Sequence, residues 1–131
     1  MQHQWPVRIY YEDTDAGGIV YHANYLKFFE RARTEWLRQL GVEQDGLLAM
    51  DVAFVVRSVK MENHLPARFN ELLQVVSQVV QLKRASLVFH QQLLREGGQL
   101  LCEADVRVAC VDLKKGKATA IPANVWGVLQ G

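Results

Sequence analysis

The sequence predicts an α+β domain in which one long helix is wrapped by a curved antiparallel sheet of about five strands. Three observations carry this. Apolar side chains recur with helical period between Ala23 and Leu40. Four long runs of strand-type composition follow, with no second helix of that length among them. The chain has 131 residues, half of them hydrophobic, which suits a single domain spanning 1–131.

Each element can be justified in turn. Val7 to Tyr11 alternates and is rich in Val, Ile and Tyr, as a strand would be. Glu12 to Gly18 is a turn-forming acidic cluster. From Ala23 to Leu40, Tyr25, Phe29, Ala32, Trp36 and Leu40 fall on one stripe, which Phe28 and Leu37 widen. Lys27, Glu30, Arg31, Glu35 and Arg38 lie mostly off it. The Arg31/Glu35 and Glu35/Arg38 spacings allow pairing on the solvated side. Gly41 is placed to stop the helix, and His22 and Asn24 both qualify as its cap. After a polar loop around Gly46, strands are expected over Val52–Met61, Leu72–Leu82, Ala85–Arg95 and Gln99–Asp112. Glu96-Gly97-Gly98 reads as a hairpin turn, Lys114 to Lys117 as another, and Pro66 as a break. Ile121-Pro122 to Leu129 reads as a short final helix.

Composition excludes several function classes. The formal net charge is +1, far from the basic excess of a nucleic-acid binder, so any anionic ligand must be held by local clusters. No apolar run approaches the ~20 residues of a membrane span. Met1 to Pro6 lacks a basic region followed by an apolar core, so a cytoplasmic protein is expected. Cys102 and Cys110 fit two buried, reduced thiols. His3, His22, His64 and His90 form no ligand spacing, so no metal is expected. Nucleotide-binding glycine loops and a Gly-x-Ser-x-Gly elbow are also missing.

The informative stretch is Asp13-Thr14-Asp15-Ala16-Gly17-Gly18-Ile19-Val20-Tyr21-His22, directly before the helix. Amides at a helix start carry partial positive charge and can hold a developing oxyanion. The glycines let backbone approach a ligand. A carboxylate, amide donors and a nearby His together suit acyl hydrolysis, although acidic residues at this position also serve simply as caps.

This stretch resembles the signature of the 4-hydroxybenzoyl-CoA thioesterase family, a hotdog-fold group, and is most similar to its Tol-Pal-associated acyl-CoA thioesterase subgroup. Similarity continues through Tyr25, Phe29-Glu30-Arg31-Ala32-Arg33, Val52 to Arg57 and Ser86 to Phe89. The resemblance implies an acyl-CoA thioesterase in which Asp15 attacks the thioester carbonyl or activates a water. It implies that amides of Gly18, Ile19, Val20 and onward to His22 polarise the carbonyl, and that the Tyr21-His22 pair assists. Glu12 and Asp13 are expected to be structural. Coenzyme A enters as part of the substrate, with no separate cofactor. A basic triplet in the family's 4-hydroxybenzoyl-CoA enzyme corresponds to Lys83-Arg84-Ala85, so Lys83 and Arg84, with Arg57, are the candidates for the CoA phosphates. At least a homodimer, and a homotetramer of two such dimers, is implied. Two alternatives stand beside this reading: a non-catalytic protein that binds acyl-CoA or acyl carrier protein, and a hotdog hydratase or dehydratase.

Overall fold

The computed structural model describes residues 1–131. Strand β1 (Gln2–Arg8) leads into a 3-10 turn at Tyr11–Asp13, the acidic loop, helix α1 (Ala23–Gln39) and the short helix α2 (Gln44–Ala49). Strands β2 (Val52–Asn63), β3 (Leu72–Leu82), β4 (Ser86–Leu94), β5 (Leu100–Asp112) and the two-residue β6 (Lys117–Ala118) follow, and helix α3 (Ala123–Gln130) ends the chain. The sheet runs in the order β1-β3-β4-β5-β2, all antiparallel, with β6 on the end of β5.

α1 lies against the inner face of this sheet. Tyr25, Phe28, Phe29, Ala32, Trp36 and Leu37 are buried, as the stripe requires. They meet the inward positions of the strands: Leu73 and Val75, Leu87 and Phe89, Leu101 and Val106. Along β4 burial alternates strictly, which leaves one polar face outward.

At four places the structure departs from the sequence reading or goes beyond it. β1 begins at Gln2, because Pro6 is tolerated where a strand lies at a sheet edge. Tyr10 and Tyr11 consequently leave the strand for the turn. The polar loop around Gly46 folds as α2, seated by the single buried side chain Leu47. Arg33, on the helix face next to the stripe, is 8% exposed and therefore belongs to the interior. Of the two expected surface pairs on α1, only Glu35 with Arg38 forms an ion pair.

β2 is the other sheet edge, twelve residues long, with Val55, Val56 and Val59 exposed. A register shift between Val56 and Ser58 leaves Arg57 outside the ladder as a bulge.

Candidate active site

The acidic loop is held by its own backbone and by one long-range clamp. Asp13 Oδ2 accepts the Tyr10 amide (2.8 Å) and Asp13 O accepts both the Tyr21 amide (3.0 Å) and Asn24 Nδ2 (2.9 Å). Asp15 N donates to Ile19 O (2.9 Å) and Gly18 N to Asp15 O (3.0 Å), closing a tight turn. Gly18 sits at φ +79°, where a side chain would be strained. Across the loop, the Val20 amide donates to Ala67 O (2.8 Å), and Tyr25 Oη accepts from Ala67 N (3.1 Å). Burial pushes the Tyr25 phenol up, so it remains protonated.

The Ala67 segment is itself braced. Arg95 makes a two-pronged contact with Glu71, Nε to Oε2 at 2.6 Å and Nη2 to Oε1 at 3.0 Å, and Nη2 also reaches Pro66 O (3.1 Å). Glu71 Oε1 also accepts the Arg68 amide (2.7 Å). The Arg95 guanidinium holds the Glu71 carboxyl below the usual carboxylate range.

Asp15 is exposed, and one of its oxygens, Oδ1, accepts the Gly17 amide at 2.8 Å. A β-carbon on Gly17 would come within 3.3 Å of that oxygen, so the glycine gives the carboxylate its place. Asp15, Tyr21, His22 and Tyr25 face Asn63 and His64 across an open cleft of about 290 Å³. The Tyr21 and His22 rings stand 4.7 Å apart at its wall.

The expected amide donors separate into two groups. Those of Gly18 and Val20 are already spent on Asp15 O and Ala67 O, which corrects the expectation for these two residues. Those of Ile19, His22 and Ala23 have no acceptor in the chain. His22 occupies the N-cap position without a side-chain cap bond, while Asn24 reaches sideways to Asp13, so the first helical donors stay free. The arrangement thus offers a carboxylate beside unpaired amides at a helix start, the combination that acyl transfer needs.

Asn63 and His64 escaped the sequence reading. They arrive from the end of β2 and its following loop, and no local pattern marks them. His64 Nε2 donates to Glu103 Oε2 (2.8 Å), and His90 Nδ1 donates to Asp105 Oδ1 (2.8 Å) on the outer face of the sheet. No three His, Cys, Asp or Glu side chains converge as a metal site. Cys102 and Cys110 are free and buried, and burial pushes the Cys102 thiol up to about 12.

Lys83 and Arg84 are exposed in the β3–β4 connection, and Arg57 is exposed on the β2 bulge. None of the three lines the cleft. The cleft lies near the Leu94 end of β4, beside Leu101, whose carbonyl accepts the His64 and Leu65 amides; the basic turn lies beyond Ser86 at the opposite end. Nine strand residues at about 3.3 Å each place the two ends roughly 30 Å apart. Within one copy the structure therefore does not bring the basic residues to Asp15.

Comparison with known proteins supplies the context. Residues 10–129 match the thioesterase-like superfamily. The acyl-CoA thioester hydrolase YbgC of Escherichia coli is 48% identical over 122 residues, covering 93% of this chain and 91% of that one. The acyl-CoA thioesterase YbgC of Haemophilus influenzae is 50% identical, covering 92% and 89%. The crystal structure of Slr0204, a 1,4-dihydroxy-2-naphthoyl-CoA thioesterase from Synechocystis, superposes with a TM-score of 0.93 at 20% identity, covering 99% of this chain and 96% of that one, and shares its hotdog architecture.

Proposed function

Because the chain belongs to the thioesterase-like superfamily, we propose that it hydrolyses acyl-CoA thioesters at the cleft lined by Asp15. It is an enzyme of the acyl-CoA thioester hydrolase type, as its half-identical relatives are. The observation that carries the site assignment is the pairing of one exposed carboxylate with unspent amides at Ile19 and His22 of the same cleft, with that of Ala23 next in the helix.

The reaction is thioester plus water to carboxylic acid plus coenzyme A thiol. Gly17 fixes one Asp15 oxygen and leaves the other for the substrate. That oxygen either attacks the carbonyl carbon or takes a proton from a water that does. The carbonyl oxygen gains charge as the tetrahedral centre forms. Amides of Ile19, His22 and Ala23 are the donors available to receive it, in place of those of Gly18 and Val20. Collapse expels the thiolate, which takes up a proton; on the direct-attack route water then hydrolyses the acyl–Asp15 anhydride, which releases the acid and restores the carboxylate. The Tyr21 and His22 side chains line the same cleft.

The nucleotide part of coenzyme A is assigned to Lys83, Arg84 and Arg57 of another copy of the chain, since within one copy they lie far from the cleft. A long β2 edge with exposed valines supports pairing of two copies, and a homotetramer of such pairs fits this assignment. A cytoplasmic site of action, acyl carrier protein as a second acyl donor, and a connection to the Tol-Pal envelope system belong to the same proposal. The resemblance to the Tol-Pal-associated subgroup supports them.

The test is free-thiol release from a panel of acyl-CoA and acyl-carrier-protein thioesters, with sedimentation of the same sample. Thiol release by an assembly larger than a monomer is expected. Tight binding without release would make the chain a carrier, and water addition to an enoyl thioester without thiol release would make it a hydratase.

A further inference from the structure

On the far part of α1, the helix and sheet enclose a second cavity, of about 140 Å³. Leu37, Phe54, Val56, Phe89 and Leu129 supply apolar wall, and Arg33 supplies a charge. Arg33 is 8% exposed. Its Nη1 donates to Gln91 Oε1 (2.9 Å), and its guanidinium carbon stands 6.0 Å from the centre of the Phe89 ring. Gln91 is in turn anchored by donating to Phe29 O (3.0 Å) and Ser77 Oγ (2.9 Å). Every one of these partners is neutral.

A guanidinium has five donors, and this one spends a single donor on the protein. The acid nearest it in charge terms is Glu30, on the same helix, exposed and also bordering the cavity. The two form no ion pair. Thr34 and Gln44, the remaining polar residues of the lining, carry no charge. A buried cation without a counter-charge is costly to keep. Burial lowers this guanidinium to about 10, which still leaves it charged at neutral pH. What Arg33 lacks is an anionic oxygen bonded to it, since Glu30 at the rim makes no ion pair with it, and what the cavity has is room: an apolar cavity of about 150 Å³ takes up benzene. Phosphate fits poorly, because one guanidinium among aliphatic and aromatic walls cannot replace its hydration.

We propose that this cavity binds a compact carboxylate, with an apolar body of about six carbons against Phe54, Phe89 and Leu129 and its anionic group on Arg33. The ligand is a free acid: Leu87 and Val108 place the cavity toward the Ser86 end of the sheet, roughly 20 Å from the Cys102 end where the cleft lies, beyond the reach of a short acyl group held at Asp15 of the same copy. Its binding does not rest on the function proposed above.

Titration calorimetry of the intact protein with benzoate and hexanoate, against benzyl alcohol and hexanol, tests the site itself. The acids should bind at least about tenfold more tightly than the alcohols, the scale of one charge-assisted hydrogen bond. Arg33→Met should remove that preference and Arg33→Lys keep part of it. Leu129→Phe, which narrows the cavity from its buried wall and leaves Arg33 in place, should weaken all four ligands; it also decides the matter if Arg33→Met fails to fold. Equal binding of acids and alcohols, no acid binding by the wild type, or acid binding unchanged in Arg33→Met and Leu129→Phe would overturn the proposal. Failure of the thioesterase reading would show as absence of all turnover, with the calorimetry unaffected.

Discussion

Asp15 and Arg33 both face cavities beside the same helix, yet they are held in opposite ways. Asp15 is exposed in an open cleft of about 290 Å³, and its bonds run to neighbours in its own loop. Arg33 is buried at a cavity half that size and depends on Gln91, 58 residues away, which leans on Ser77 and on the backbone of α1. The first arrangement leaves donors and a carboxylate free for a reactant. The second binds polar groups into the interior, where each lost partner is felt as stability. Under the proposed assignment, chemistry and folding fall to different polar networks of one chain.

That contrast can be broken by experiment. Gln91→Leu should have the largest effect on stability, about 1–3 kcal/mol, since it leaves Arg33, Ser77 and the Phe29 carbonyl without their partner. Denaturant unfolding would measure it, and the folded fraction should still turn over a neutral acyl-CoA at close to the wild-type rate. Gly18→Ala should cost less, about 1–2 kcal/mol for a side chain in the left-handed region. Yet it should slow thiol release severalfold, because the turn that aims Asp15 and the Ile19 amide is disturbed. If Gln91→Leu abolished turnover, or Gly18→Ala left it untouched, the division between the two networks would be false.

The smallest effect concerns the brace behind the site. Glu71 is held below its ordinary value chiefly by the hydrogen bond from Arg95. A depressed carboxylate contributes stability that is fully present above its unfolded value, about 4.3, and is lost as pH falls through the lower folded value. The pair is partly exposed, so the contribution should be about 1 kcal/mol or less. Glu71→Gln should therefore lower the melting temperature slightly at neutral pH and converge with the wild type as pH falls through the lowered folded value. A difference that stayed constant into acid would contradict the assignment.

The same contrast explains what was legible in the sequence. α1 is legible to within one residue at its end, because apolar side chains recurring on one stripe report a helix directly. β3 was read at its observed limits, and β4 and β5 to within a residue, for the analogous reason of alternation bounded by turns. The acidic loop was legible because its groups lie within ten consecutive residues. Arg33 was not, because an arginine beside a stripe looks solvated until the sheet covers it. Asn63 and His64 were not, because the fold alone brings them opposite Asp15. The spent amides of Gly18 and Val20 were equally unreadable, since one of them is consumed by Ala67, far along the chain. The N-terminal half of β1 was hidden by Pro6, which interrupts a strand pattern everywhere except at an edge.

The central claim is that the Asp15 carboxylate performs the hydrolysis. Asp15→Asn keeps the size of the side chain and an oxygen for the Gly17 amide while removing the charge. Thiol release from the preferred acyl-CoA should fall at least ~100-fold, with an unchanged melting temperature and oligomeric state. A folded Asp15→Asn enzyme that releases thiol at the wild-type rate would contradict the account and move the chemistry to another residue of the cleft.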